Sequence, residues 1–428
     1  MTSVAVTLAR WAAQLDPEPG DLELAGRSLL DTVAVTLAAR DHRVTRLAAG
    51  LPEGGRWAVA GHVLDFDDLH MPSTAHVSAV CVPTALAMGG GPRAYLAAAG
   101  VMARLGTALG WPHYSAGWHA TCTAGAPASA AGAAVALGLP AERIAVAMAL
   151  AVPAAGGVQR AFGTDAKSLQ VGFAVEAGIR AARLAAAGAQ ADPGAVDAWL
   201  ALVGGDPAAV DPSGPAVPNG LAVKLYPCCY ALQRPISALS ELTRAGLTRA
   251  GPAGTGPAGT GLEPGGIRRI VLRTPEATVV PLIHHRPESG LQGKFSLEYA
   301  AAVAVLDAYP GFGSFTDAAV RRDAARRLVS LVEVTLDPGG SWLLDGELQA
   351  EIHTGDGTIL RARQRFPPGS PARPVSAAQL QAKLADCVHG LATDPTSWHW
   401  ENAAGVLRRI LPGPNPKTQA EGEKAWMS

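Results

Sequence analysis

The sequence predicts a mainly α-helical protein with a large all-α domain and a smaller α+β domain. Between Ala79 and Ala201 the chain is a succession of alanine-rich segments separated by glycine and proline, which is typical of closely packed helices. After the low-complexity repeat at residues 251–260, alternating strand-like segments are mixed with helical ones. This mixture within a short stretch favours a small α+β domain.

The repeat GPAGTGPAGT has the composition of a flexible linker and marks the predicted domain boundary. No period of about 20 to 50 residues recurs in the helical part, so the sequence disfavours a solenoid. The C-terminal segment is expected to return to the large domain. The predicted division is a large domain over 1–250, completed by 391–428, a Gly/Pro linker over 251–262, and a small domain over 263–390.

Before the repeat, apolar residues at helical spacing predict helices over residues 4–15 and 22–39. Residues 41–57 contain Gly50, Pro52 and the pair Gly54-Gly55, which break this spacing, so a loop is predicted there. The apolar run Ala79 to Met88 predicts a helix, with Pro83 expected near its start.

Beyond the repeat, the period of the pattern changes from helical to alternating. Strands are predicted over 267–274, 347–353 and 358–365, the last two joined by a Gly-Asp-Gly turn. Helical spacing predicts helices over 296–306, 317–331, 377–388 and 394–411.

Composition limits the classes of function. The 428 residues are 48% hydrophobic and 17% charged with a formal net charge of -1, and no long basic run is present. These values argue against nucleic acid or an anionic membrane as the main partner and favour small-molecule chemistry. The amino terminus lacks a signal-peptide pattern and no apolar stretch reaches a membrane span, so a cytoplasmic protein is expected. Five scattered cysteines indicate reduced thiols.

The segment from Gly61 to Pro83 concentrates polar chemistry in an apolar chain. Its like charges must be separated by solvent, protonation or a partner cation. Clusters of like charges are commoner at functional sites than elsewhere in proteins. Two other interpretations remain, a solvated acidic turn and a cap for the following helix. A metal-dependent hydrolase is a further alternative, with ligands drawn from Asp65, Asp67, His70 and His76.

Four more motifs follow in the chain. Gly-Trp-His ends at His119, F-G-T-D-A-K ends at Lys167, K-L-Y-P-C-C begins at Lys224, and K-F-S-L-E-Y ends at Tyr299. Three of the key residues also have an ordinary interpretation. His119 would be a core histidine, Lys167 a lysine that extends to the surface, and Tyr299 a packing tyrosine. The adjacent cysteines of the third motif lack the spacing of a zinc or iron–sulfur site.

Taken in order, the D-F-D-D stretch with His70 and His76 and these four motifs resemble the MmgE/PrpD family. That family contains 2-methylcitrate dehydratases, cis-aconitate decarboxylases and iminodisuccinate epimerases. The resemblance implies a helical domain with a smaller α+β lid domain, a homodimer, and a small di- or tricarboxylate substrate. The missing ligand spacings, together with lysines able to neutralise carboxylates, predict that no metal or organic cofactor is bound.

The resemblance also implies roles for individual residues. The expected catalytic residues are Asp65, His76, His119, Lys167 and Tyr299, with Asp65 orienting a histidine or lysine and stabilising its cationic form. The expected substrate-binding residues are Lys224, Leu69, Gln170 and Cys229. His76, His119, Lys167 and Lys224 are expected to converge with Asp65 in one cleft that Tyr299 closes.

Three departures from the family pattern bear on specificity. Leu69 stands where many relatives have threonine, Gln170 where they have histidine, and Phe173 where arginine is frequent. The expected substrate therefore carries fewer charges, or a methyl-bearing carbon. Dehydration of a 2-methylcitrate-like hydroxy acid is the expected reaction, with epimerisation or decarboxylation of a related acid as the alternative and a non-catalytic family member as a further one.

Overall fold

A computed structural model describes residues 2–249, 264–307, 309–340, 342–411 and 413. The predicted linker at 251–262 lies outside the described residues. The predicted fold class is confirmed, since helices dominate and a small mixed sheet accompanies them. None of the described helices has the length and apolar composition needed to cross a bilayer.

The helices are α1 (Val4–Gln14), α2 (Pro19–Ala38), α3 (Arg43–Leu47), α4 (Glu53–Val63), α5 (Ser78–Ala87), α6 (Pro92–Ser115), α7 (Ala120–Thr123), α8 (Gly125–Ala136), α9 (Ala141–Ala151), α10 (Ala166–Ala186), α11 (Ala195–Leu202), α12 (Tyr230–Arg249), α13 (Gly290–Gly293), α14 (Leu297–Leu306), α15 (Asp317–Val320), α16 (Asp323–Ser330), α17 (Ala377–Cys387) and α18 (Ala403–Ile410). The strands are β1 (Ile267–Pro275), β2 (Val332–Asp337), β3 (Leu348–Thr354) and β4 (Ile359–Gln364).

Packing divides the chain into two units. Unit 1 comprises Met1–Arg160, Asp165–Ala222 and Ser376–Ser428, and unit 2 comprises Ala161–Thr164 and Val223–Val375. These borders differ from the division expected at the repeat. The difference arises because α12 packs on β3, β4 and α14, whereas α17 packs on α2.

Unit 1 is a bundle in which small residues let helices approach closely. A Cβ atom added at Gly178 of α10 would lie 2.4 Å from Ser129 Cβ and 2.6 Å from the Ala126 carbonyl oxygen of α8. A Cβ added at Gly132 of α8 would lie 2.6 Å from Ala98 Cβ of α6. Any larger side chain at these two glycines would push the helices apart.

The loop predicted over residues 41–57 is wrong for most of its length. The chain forms α3 there, and α4 begins at Glu53 directly after Pro52. A Cβ added at Gly54 would lie 2.7 Å from Ile179 Cδ1 of α10. Glycine occurs in this helix because α4 packs closely against α10, and packing overrides the low helix propensity of glycine.

Unit 2 contains a four-stranded mixed sheet in the order β2-β1-β3-β4. Strand β1 pairs in parallel with β2 and antiparallel with β3, and β3 pairs antiparallel with β4 across the Gly-Asp-Gly turn. Ile270 in β1 is aligned with Val332 in β2 and with Ile352 in β3. Buried and more exposed residues alternate along most of β1, as the sequence predicted.

Several element boundaries differ from those predicted. Strand β2 is missing from the prediction, although Val332, Val334 and Leu336 alternate with polar residues. The helix predicted over 317–331 is two helices, α15 and α16. In the C-terminal segment the α-helix covers only Ala403–Ile410 rather than 394–411, because Asp394 caps a short 3₁₀ turn instead.

A buried ion pair holds α17 to α2. Lys383 Nζ lies 2.7 Å from Asp31 Oδ1, and both side chains are 1% exposed. The same ammonium donates to the Phe66 carbonyl oxygen at 2.8 Å and lies 4.0 Å from the centre of the Phe66 ring. Burial raises the pKa of Asp31, and Lys383 opposes this effect by stabilising the carboxylate.

Replacing one partner of this pair should destabilise the protein strongly, because the other is left buried without its counter-charge. For Lys383→Met we expect the free energy of unfolding to fall by about 3 to 5 kcal/mol, measured by urea denaturation. The double variant Asp31→Leu/Lys383→Met should recover most of the loss. Arg408→Met, at an exposed pair with Glu53, is the control and should cost less than about 1 kcal/mol. Equal losses of unfolding free energy in Lys383→Met and Arg408→Met would contradict the expectation.

Candidate active site

The acidic loop, defined as residues 64–77 between α4 and α5, is buried. Asp65, Asp67 and Asp68 are at most 2% exposed, so the interpretation as a solvated acidic turn is wrong. Asp65 and Thr74 both have a φ of 54°, in the left-handed region that side chains other than glycine seldom adopt. Such backbone persists where the surrounding structure enforces it, which is frequent at functional sites.

Asp68 has the structural role that the capping interpretation proposed. Its Oδ1 accepts the backbone N–H of Ser78 at 3.0 Å, and its Oδ2 accepts the Ser78 hydroxyl. The Ser78 hydroxyl also lies 2.9 Å from the hydroxyl of Tyr95. These contacts start α5 at Ser78, and Pro83 therefore lies inside the helix instead of near its start. Burial raises the pKa of Asp68 to about 7.

Asp67 links two histidines. Its Oδ2 accepts a hydrogen bond from His62 Nδ1 at 2.7 Å and lies 3.1 Å from His76 Nδ1. Burial alone would raise the pKa of Asp67, but the two imidazoles beside it outweigh burial and hold that pKa well below its usual value. Asp67 is therefore a carboxylate, and His62 carries its proton on Nδ1.

Lys167 completes this group from α10. Its Nζ lies 2.8 Å from His62 Nε2 and 3.3 Å from Asp65 Oδ2. The second nitrogen of His76 lies 3.8 Å from Asp65 Oδ1. Burial, followed by the adjacent ammonium of Lys167, lowers the pKa of His62, so this ring is neutral and its Nε2 accepts from Lys167.

His119 lies beside this group at the start of α7, as predicted for its motif. Its ring centre is 5.6 Å from that of His62, and its backbone N–H donates to the Gly157 carbonyl oxygen at 3.0 Å. Burial lowers the pKa of His119 well below its usual value, with further lowering by His62 and Lys167. The imidazole is therefore neutral.

Unit 1 thus brings together four of the residues selected from the sequence, Asp65, His76, His119 and Lys167. Two more members of the cluster, His62 and Asp67, were not selected as catalytic. His62 was identifiable in principle, because it precedes Asp65 by three residues and so lies in the last helical turn before the acidic loop.

Two family models match the chain. The MmgE/PrpD N-terminal domain matches residues 55–199, and the MmgE/PrpD C-terminal domain matches residues 226–402. The protein belongs to the MmgE/PrpD family. Family members are generally enzymes of the dehydratase or lyase type. The comparison with curated proteins gave no match.

Two predicted substrate-binding residues of this family member lie in unit 1. Leu69 is 3% exposed and forms an antiparallel bridge with Ala222, donating at 2.9 Å and accepting at 2.8 Å. Gln170 donates from Nε2 to His119 Nδ1 at 2.6 Å. Phe173, one turn further along α10, is 54% exposed.

The K-L-Y-P-C-C segment belongs to unit 2, where a glutamine holds it. Gln233 Oε1 accepts the backbone N–H groups of Leu225 and Tyr226 at 3.1 and 3.0 Å, and its Nε2 donates to the Tyr226 carbonyl oxygen at 2.8 Å. Cys229 donates its backbone N–H to the Lys294 carbonyl oxygen, and Lys224 is fully buried. The segment is therefore a tightly bonded turn.

Tyr299 also lies in unit 2. Its side chain is fully buried, its ring packs edge-on against Phe315, and its hydroxyl donates to the Ser314 carbonyl oxygen. Burial raises the pKa of Tyr299 to about 12. These contacts agree with the packing role that the sequence left open. A catalytic role for Tyr299 stays a prediction.

The set of ligands suggested for a metal is not the set that clusters. His70 is bonded through Nδ1 to the Ser73 hydroxyl and through Nε2 to the Pro218 carbonyl oxygen, both at 2.8 Å. Ligand atoms of two suggested residues, Asp67 and His76, lie within 4.8 Å of each other and of one from His62, which was not suggested. His62 already uses one nitrogen on Asp67 and the other on Lys167, whose positive charge would repel a cation. Among described residues, this trio fits a hydrogen-bonded network better than a metal site.

The raised pKa of Asp68 predicts a pH-dependent stability. Its folded pKa of about 7 exceeds the usual 3.8, so this group's stabilisation is complete below the usual value and is lost as the pH rises through about 7. Asp68→Asn should reduce the fall in unfolding free energy between about pH 4 and about pH 7 by on the order of 4 kcal/mol. Denaturation across this range measures it. Asp192→Asn, at an exposed turn, is the control, and identical slopes for Asp68→Asn and wild type would contradict the prediction.

Proposed function

We propose that this protein is a cofactor-independent lyase that dehydrates a small, 2-methylcitrate-like hydroxy acid. The observation that carries the proposal is the buried cluster of His62, His76, His119 and Lys167 around two aspartates. A member of a dehydratase-like family with such a cluster has groups for proton transfer and for carboxylate binding in one place.

The charges in the cluster favour an acidic substrate. Lys167 is the ammonium of the group and is held by Asp65 and His62. A substrate carboxylate placed beside Lys167 would share its positive charge in a site of low dielectric, where such an interaction is strong. Lys224 is proposed as a second cation for a di- or tricarboxylate, by resemblance to the family.

His76 is the proposed base. Its side chain is 10% exposed, whereas the His62 side chain is fully buried. Asp67 and Asp65 face its two nitrogens and would stabilise the imidazolium formed when the ring takes a proton. Proton removal from the carbon next to a carboxylate leaves an electron pair that becomes the double bond. The hydroxyl on the neighbouring carbon takes a proton, for which we propose Lys167 as donor, and leaves as water.

The same proton abstraction would start an epimerisation, and stabilisation of the same carbanion would assist a decarboxylation. The proposed dehydration rests on the family for its reaction class and on Leu69, Gln170 and Phe173 for a substrate with fewer charges than citrate-like relatives use. Alkene absorbance, deuterium uptake from solvent and carbon dioxide release distinguish the three reactions.

Substitution of the proposed base or cation should lower turnover strongly without unfolding the protein. For His76→Gln and Lys167→Met we expect kcat with the best acid of a methylcitrate, citrate, cis-aconitate and iminodisuccinate panel to fall by roughly 10²- to 10⁴-fold. Alkene absorbance should report the reaction.

The matched control is His70→Gln, because His70 is a buried histidine of the same loop that bonds to Ser73 and Pro218 and lies outside the cluster. It should retain activity when circular dichroism shows it to be folded. Absence of all three product signals with every acid, or equal activity in His76→Gln and wild type, would refute the proposed function.

Metal independence is a separate expectation. Because hydrogen bonds to Asp67 and Lys167 already use both ring nitrogens of His62, a chelator should leave the initial rate unchanged within about twofold. Rate measurement after dialysis against EDTA, with elemental analysis of the same sample, tests it. Loss of activity that zinc or iron restores would favour the metal-dependent alternative.

We also propose a cytoplasmic homodimer, on the strength of the family resemblance. Light scattering at micromolar concentration tests the assembly, and a monomer mass would remove that part of the proposal.

A further inference from the structure

Two side chains approach the same ring nitrogen: Gln170 Nε2 lies 2.6 Å and Cys122 Sγ 3.3 Å from His119 Nδ1. A neutral imidazole has one nitrogen that donates and one that accepts, and the partner of one nitrogen determines which is which. The orientation of the Gln170 amide therefore decides the tautomer of His119.

That orientation is fixed by the backbone of Val158. Gln170 Oε1 accepts the Val158 N–H at 3.2 Å, and Gln170 Nε2 donates to the Val158 carbonyl oxygen at 3.4 Å. Turning the amide over would place two donors face to face at the Val158 nitrogen and two acceptors at its oxygen. In the observed orientation, both amide hydrogens of Gln170 are used, one on Val158 and one on His119 Nδ1.

The backbone segments that carry these groups are also bonded to each other. Trp118 and Val158 form an antiparallel bridge, with His119 N–H donating to Gly157 O and Gln159 N–H to Gly117 O. Gly157 has a φ of 125°, and a Cβ added there would lie 2.6 Å from Cys122 Cβ. This close packing holds Val158, and through it Gln170, at a fixed distance from the imidazole.

We propose that Gln170 is a positioning residue that holds His119 in the neutral tautomer protonated on Nε2, so that His119 donates a hydrogen bond to the substrate and does not act as the base. The assignment of the tautomer stands on the contacts alone. The part that concerns substrate rests on the proposed function, in which a donor near the developing carbanion would stabilise negative charge on a carboxylate oxygen.

The charges around His119 agree with a neutral ring. Burial contributes most to the lowered pKa of His119, and His62, Lys167 and His76 lower that pKa further against the opposing effect of Asp65. Burial raises the pKa of the Cys122 thiol, so that group stays protonated and can donate weakly toward Nδ1. The Gln170 amide nitrogen requires Nδ1 to accept, and the thiol is compatible with this arrangement.

Nitrogen-15 NMR of protein labelled at histidine tests the tautomer directly. The His119 resonances are assigned by their loss in His119→Gln. We expect Nε2 to show the shift of a protonated nitrogen and Nδ1 that of an unprotonated one, unchanged across the pH range in which ordinary histidines titrate. Protonation on Nδ1, or titration of the ring in that range, would overturn the inference.

Two variants test whether Gln170 is the cause. Gln170→Glu replaces the donor with an acceptor and should move the proton to Nδ1 or make the ring cationic, with its pKa raised. Gln170→Leu removes the donor and should give a mixture of tautomers. Phe173→Leu, at the exposed position one turn along α10, is the control and should leave the spectrum unchanged. A wild-type spectrum in both Gln170 variants would refute the role of Gln170.

Activity provides a second readout. If His119 is a donor and His76 the base, Gln170→Glu should lower kcat about 10-fold or more and shift its pH profile, while Gln170→Leu lowers kcat without that shift. The NMR result does not depend on turnover, so failure of the proposed dehydration and failure of the tautomer assignment are distinguishable.

Discussion

The candidate site depends on the burial of one carboxylate, Asp67. A charge removed from water requires compensation, and here the compensation comes from His62 at the end of α4 and from His76 just before α5. These contacts fix the two ends of the acidic loop relative to each other. The ammonium of Lys167 then extends the network to α10, so that α4, α10 and the loop are held by one set of charges. The same contacts therefore determine both the positions and the protonation states of the clustered side chains.

Much of the fold followed from the sequence, because alanine content and apolar spacing are local properties. Helices α1, α2, α5, α14 and α17 and strands β1, β3 and β4 lie within a few residues of their predicted bounds. The failures have a common origin in tertiary contacts. Gly54 is helical because α4 packs on α10, and α12 associates with the sheet although it precedes the repeat. Neither contact is encoded in the spacing of nearby residues.

The site was predictable to the extent that motifs mark it. Asp65, His76, His119 and Lys167 are selected by motif and lie together. His62 lies in the selected segment from Gly61 to Pro83 but has no predicted role, and Lys383 is more than 300 positions from the Phe66 carbonyl that it binds. The sequence analysis assigns Gln170 to substrate binding because it stands where relatives have histidine. Its contacts with Val158 support the positioning role that we propose, and a backbone partner of this kind cannot be inferred from residue type.

The left-handed backbone of Asp65 has a consequence for how its charge can be studied. Its φ of 54° is a conformation that asparagine and aspartate adopt more readily than most residues do. Alanine at this position would remove the carboxylate and also favour a different path for the loop, which would displace Asp67 two residues later. Asparagine keeps the local geometry and removes only the charge, so the amide is the substitution that isolates electrostatics from loop conformation.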